Sequence, residues 1–227
     1  MAIKIFVDQG HNPSGFNAGA EGNGLREQDI TFTVGAYLAD ILAADDRFEV
    51  RTSRTTPEEV LGYNNTSSLR TRVEMANEWP ADYFLSIHVN ANNNPNINGS
   101  EVYVYRTESA SYYLAQNILS EIVRRVGTKD NGVRVNSSLY VLRNTDMPAA
   151  LVELAYITNA EDAQKLRDDQ YQFAAYMWGC STILAYRRSS SKAKQPVLCP
   201  LRTLCRTLPE KGSQAASAPP EIPDSIR

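Results

Sequence analysis

Short apolar runs alternate along the chain with stretches in which hydrophobic residues recur every three or four positions, the pattern of an α/β sheet rather than a bundle or a sandwich. Six strands are expected. They are Ile3 to Val7, Phe48 to Thr52, Tyr83 to His88, Val102 to Tyr105, a weaker strand near Tyr140 within Gly132 to Arg143, and Ala149 to Leu154. The helix after Glu27 places Ile30, Val34, Leu38 and Ile41 or Leu42 on one face. Leu69, Val73 and Ala76 mark a second helix that stops before Trp79-Pro80, because the residue preceding a proline is pushed out of helical geometry. Leu114, Ile118, Ile122 and Val126 mark a third, closed by Gly127 as its C-terminal cap. Asn159 caps a short helix with Glu161 and Asp162 in its first turn, where the helix dipole favours acids. A last helix is expected from Tyr171 to Tyr186, and Asn90 to Gly99 reads as a turn-rich loop.

Periodicity ends at Tyr186. Residues 187–227 hold six of the eleven prolines, three consecutive serines, and eight Lys or Arg against three acids. Such a composition cannot build a core, so 187–227 is expected to be a disordered Pro/Ser-rich basic tail on a single domain spanning 1–186. A chain of 227 residues is long enough for one substantial core. Without the tail the chain carries 15 basic and 23 acidic groups, and an acidic body argues against a nucleic-acid partner. No apolar run approaches the roughly 20 residues that cross a bilayer, so no membrane span is expected. The first apolar stretch is too short for a secretory signal, and no classical export signal is expected. Cys180, Cys199 and Cys205 form neither a disulfide framework nor a metal knuckle, and a monomer is expected.

The chain has two histidines, and both stand where an apolar strand gives way to small and polar residues: Phe-Val-Asp-Gln-Gly-His11 and Phe-Leu-Ser-Ile-His88. Functional groups in open α/β sheets gather outside the carboxyl ends of strands, so the two imidazoles can share one crevice. Each is equally consistent with a hydrogen-bonded histidine at a strand end. Catalytic zinc takes three protein ligands and leaves a position open, which calls for one more donor. Glu27, where a glycine-rich loop meets the first helix, can be that donor or a first-turn acid serving the dipole. Glu153 interrupts the apolar run Ala-Ala-Leu-Val-Glu-Leu-Ala, and a carboxylate there needs either an ion-pair partner such as Arg72 or Arg143, or a place beside a metal in acid and base work. Asp8 and Asn90 are candidates to orient an imidazole, with turn residues as the alternative. Thr55 to Ser67, rich in Asn, Thr and Gly, is a candidate groove wall or an ordinary surface loop.

Three separated motifs carry a family resemblance: Val-Asp-Gln-Gly-His11 with Glu27 after it, Ser86-Ile87-His88-Val89-Asn90-Ala91, and Leu151-Val152-Glu153-Leu154 followed by Thr158-Asn159. In this order they resemble the zinc-dependent N-acetylmuramoyl-L-alanine amidases of bacterial wall hydrolases and phage endolysins, across about residues 3 to 186. The resemblance implies a twisted six-stranded sheet, mostly parallel or mixed, covered by helices. It implies a Zn2+ cofactor held by His11, Glu27 and His88, with Glu153 as the catalytic carboxylate. It also implies a peptidoglycan (muropeptide) substrate cut between N-acetylmuramic acid and L-alanine, and action at the cell wall, outside the cytoplasm. The chain departs from the family pattern at Asn12-Pro13 and at Ala155, where glycines are usual.

Overall fold

The computed structural model describes residues 2–168. The helix expected from Tyr171 to Tyr186 and the tail 187–227 lie outside the described residues.

The elements follow the hydrophobic pattern closely. Strand β1 (Ile3–Gln9) leads through a short hairpin, β2 (Glu21–Gly22) and β3 (Leu25–Arg26), into helix α1 (Glu27–Ala43). The hairpin was not foreseen as such. Asn23 and Gly24 turn it with φ of 50° and 73°, the two-residue geometry that Asn-Gly favours. Next come β4 (Phe48–Thr52), α2 (Asn65–Glu78), β5 (Tyr83–Asn90) and β6 (Ser100–Val104). Helix α3 (Ala110–Val126) ends at Gly127, whose φ of 67° makes it the expected cap. Then follow β7 (Asp130–Val135), α4 (Tyr140–Asn144), β8 (Ala149–Tyr156) and α5 (Ala160–Leu166), the last capped by Asn159 as expected.

The strand expected near Tyr140 is corrected: the strand lies earlier, at Asp130–Val135, and Tyr140 begins a single helical turn. Packing decides it. Val141 and Leu142 are both buried in a cluster with Val73, Ala76 and Trp79, which adjacent residues of a pleated strand, pointing to opposite faces, could not both join. The Asn77 side chain then closes the turn by donating to the Asn144 carbonyl at 3.0 Å.

Six strands form one mixed sheet in the order β4-β1-β5-β8-β6-β7. All neighbours run parallel except β6 and β8, which are antiparallel. Helices α1 and α3 cover one face, and α2 with α4 covers part of the other through Phe6, Phe84, Ala149 and Leu151. On that second face the carboxyl-end portion of β1, β5 and β8 carries polar groups instead. Residues paired across strands share a face, so the pairing of His88 with Glu153, and of Glu153 with Glu101, makes a row of ionisable groups there. Reversal of β6 is what brings Glu101, near its amino end, to the carboxyl end of β8. A register shift between His88 and Asn90 then pairs Asn90 with Tyr156, a bulge that turns the Tyr156 ring toward Glu101.

Candidate metal centre

His11, Glu27 and His88 come together from three elements, with their donor atoms all within 4.8 Å of one another. His11 is the second residue past β1, and its φ of 71° turns the chain sharply away from the strand. Its Nδ1 lies 3.2 Å from the Asn17 carbonyl, an acceptor, so this nitrogen carries the proton and Nε2 is left as a donor atom for a metal. Nε2 is 3.0 Å from Glu27 Oε1. His88 presents Nδ1, also 3.0 Å from Glu27 Oε1, and the two rings meet edge to face at 4.8 Å. Glu27 is the first residue of α1, and the backbone N–H groups of Ala20 and Val89 donate to its two carboxylate oxygens at 2.9 and 3.0 Å. Burial pushes the Glu27 carboxyl up, yet hydrogen bonds and charge from His11 and His88 outweigh it and hold the group well below the usual carboxylate range.

Two glycines leave room for this arrangement. A Cβ on Gly10 would sit 2.6 Å from His88 Cε1, and one on Gly19 would sit 2.9 Å from Glu27 Oε2. Neither glycine stood out in the sequence. Two imidazoles and one carboxylate, aimed at one point, match the donor set of catalytic zinc.

Glu153 stands beside the centre with Oε2 buried and without a hydrogen-bond partner among the described residues. Neither arginine considered as its partner is one: Arg72 pairs with Asp8, and Arg143 lies over the Tyr140 ring. Burial, then the charges of Glu27 and Glu101, push the Glu153 carboxyl well above the ordinary range. Glu101, which the sequence reading passed over, is buried and gathers Asn90 Nδ2 at 2.5 Å, the Tyr103 hydroxyl at 2.9 Å and the Tyr156 hydroxyl at 3.1 Å. Arg134 reaches its other oxygen at 2.5 Å. Burial and Glu101 raise the Tyr156 phenol to about 12, so both tyrosines serve Glu101 as donors.

Asp8 does not orient an imidazole; its carboxylate accepts from Arg72 and from the Ser86 hydroxyl, and the Asn17 carbonyl takes the role at His11. Asn90 faces Glu101. The loop within Thr55 to Ser67 is hung next to His11: Asn12 accepts from Leu61 N at 3.0 Å and donates to Leu61 O at 3.1 Å.

A mixed α/β sheet that gathers two histidines and one glutamate at its strand ends, with a further glutamate alongside, defines a class of fold and site able to hold a metal ion. Within that class the chain belongs to the N-acetylmuramoyl-L-alanine amidase family, which matches it over residues 5–178. It is 39% identical over 171 residues to the N-acetylmuramoyl-L-alanine amidase LytC of Bacillus subtilis (strain 168), covering 74% of this chain and 32% of LytC. The N-acetylmuramoyl-L-alanine amidase CwlM of Bacillus licheniformis is 36% identical over 171 residues, covering 74% of this chain and 62% of CwlM. The chain therefore spans only part of the length of either relative. The crystal structure of N-acetylmuramoyl-L-alanine amidase from Clostridium difficile 630 superposes with a TM-score of 0.73 at 31% identity, covering 85% of this chain and 99% of that one.

Proposed function

We propose that this chain is a zinc-dependent amidase that hydrolyses the bond between N-acetylmuramic acid and L-alanine in peptidoglycan. The observation that carries the reading is the convergence of His11 Nε2, His88 Nδ1 and Glu27 Oε1 on the same face as the unpaired carboxylate of Glu153. Family membership supports the choice of scissile bond. Zinc held by the three donors supplies the positive charge that polarises a carbonyl and acidifies a water. Glu153 accepts the proton of the attacking water and returns it to the departing amine of L-alanine. Its raised pKa suits the second half of that task, since a carboxyl that holds its proton more tightly than usual lies closer to the balance a proton shuttle needs. Glu27 contributes a negative charge that leaves the loaded centre less positive than three neutral histidines would.

The working unit in this reading is a monomeric domain over 1–186 acting on the cell wall. No helix among the described residues is long and apolar enough to cross a membrane. The tail 187–227 is dispensable for chemistry: a chain ending at Tyr186 is expected to cleave small soluble muropeptides at the full-length rate.

Purified muropeptides give the direct test. Amidase action releases the amino group of L-alanine with no new reducing sugar ends, stops on chelation and returns with zinc. New reducing ends, or amino groups from another bond of the stem, would replace this reading with a glycosidase or a peptidase.

A further inference from the structure

Three successive carbonyls at the end of β1 are held by side chains from other elements. Arg72 Nη1 donates to Gln9 O at 2.6 Å, Thr31 Oγ1 to Gly10 O at 2.7 Å, and Arg72 Nη2 to His11 O at 2.6 Å. One guanidinium thus brackets the turn at which His11 takes a φ of 71°, a conformation that a residue with a Cβ rarely holds unless its surroundings enforce it. Arg72 is itself fixed by Asp8, whose other oxygen accepts from Ser86 at 2.7 Å, two residues before His88. The arginine, the aspartate and the serine therefore join the strand of one metal-directed histidine to the strand of the other.

The group is an expensive way to fill a core. Arg72 and Asp8 are fully buried, and Arg72 Nε has no partner among the described residues. Apolar residues of similar volume commonly match or exceed a buried ion pair in stability, so a fold needing only packing has no use for this one. The planar fork offers what apolar residues, or a lysine, cannot: two N–H groups at a fixed angle, each aimed at a different carbonyl.

We propose that Arg72, braced by Asp8 and Ser86, is a positioning residue that sets the His11 backbone and so preorganises the metal centre before any metal binds. The proposal rests on the zinc reading. Lysine at 72 keeps the charge but gathers its donors on one nitrogen and loses the fork, leaving His11 free to relax out of its left-handed conformation.

The test is zinc affinity of the full chain, read by competition with a chromogenic chelator. Wild type is expected to bind one zinc, and Arg72→Lys to bind about 10- to 100-fold more weakly, the usual scale for losing an orienting partner. Leu142→Ala, a core truncation in α4 away from the centre, serves as a control for lost stability and is expected to bind zinc as wild type does. If Arg72→Lys does not fold, Ser86→Ala, which leaves the ion pair in place, carries the test and is expected to weaken zinc binding several-fold. Wild-type affinity in a folded Arg72→Lys, or in Ser86→Ala where the lysine variant fails to fold, overturns the positioning role alone, and so does an equal loss in Leu142→Ala. A wild-type chain that binds no zinc overturns the function proposed above and this inference with it.

Discussion

His88 and Glu153 are direct partners in the parallel pairing of β5 with β8, so a metal-directed imidazole and an unpaired carboxylate leave the sheet side by side on one face. With no cation paired to it among the described residues, Glu153 is held by the sheet, and its removal separates chemistry from folding. Glu153→Gln is expected to retain zinc and to cut turnover by roughly 10²-fold or more, the scale for losing a positioned acid and base. Zinc content and muropeptide cleavage measured on one preparation check this, and near-normal cleavage would falsify the catalytic assignment.

The same variant should change the pH dependence of the metal-free protein. A carboxyl raised on folding keeps its proton in the native state after the unfolded chain has lost it, so stability falls as pH climbs above the ordinary carboxylate range of about 4. Glutamine removes that loss. Metal-free Glu153→Gln should therefore melt at least about 3 °C above wild type near pH 8, with the gap closing near pH 4. A lower melting temperature at both values would point to a structural bond at Glu153.

His11→Ala, His88→Ala and Glu27→Ala should each lose bound zinc and activity together, since one of three protein donors is gone. Metal analysis after dialysis reads the outcome directly. Full occupancy in any one of them removes that residue from the ligand set.

Gly10 supplies a steric test. Alanine there would place a Cβ 2.6 Å from both His88 Cε1 and Ile87 O, so the imidazole or the strand has to move, and zinc affinity should drop by tenfold or more, on the order of losing an orienting partner. Gly15, with φ of 74° and nothing within 4 Å of its virtual Cβ, is the comparison. Gly15→Ala should cost about 1 kcal/mol of backbone strain and leave zinc binding intact.

Asp8 should govern acid stability. Burial raises its carboxyl, but Arg72 and Ser86 prevail and lower it, so its contribution is complete above the unfolded value of about 3.9 and fades as pH falls below it. Asp8→Asn leaves a buried guanidinium without its counter-charge and should cost about 3 to 5 kcal/mol at neutral pH. Denaturant melts of both proteins should draw together as pH falls from the unfolded value through the lowered folded one; a gap independent of pH would assign the loss to packing.

The three converging residues and Glu153 were legible because each places a charge or an imidazole where an apolar strand or a helix start would not otherwise have one. Residues acting through the backbone were harder to see. Arg72 falls on the buried stripe of α2 beside Leu69, Val73 and Ala76, but an arginine between Thr71 and Val73 gives no sign that two carbonyls some sixty positions upstream will meet it. Glu101 was missed because the strand was expected to begin at Val102, two residues after its actual start, and because only the antiparallel pairing with β8 brings it to the centre. The Tyr140 turn was read as a strand since five residues carry too little periodicity to tell the two apart.

The order β5-β8-β6 also dictates a sequence of events during synthesis. All three residues of the candidate centre lie within the first 88 residues, and β4, β1 and β5 pair with one another without help from β8. Glu153 arrives on a strand that must slide between two already made, whose facing edges stay bare until it does. The three converging side chains are therefore made well before Glu153, and the strand that carries Glu153 is the one that closes the sheet between β5 and β6.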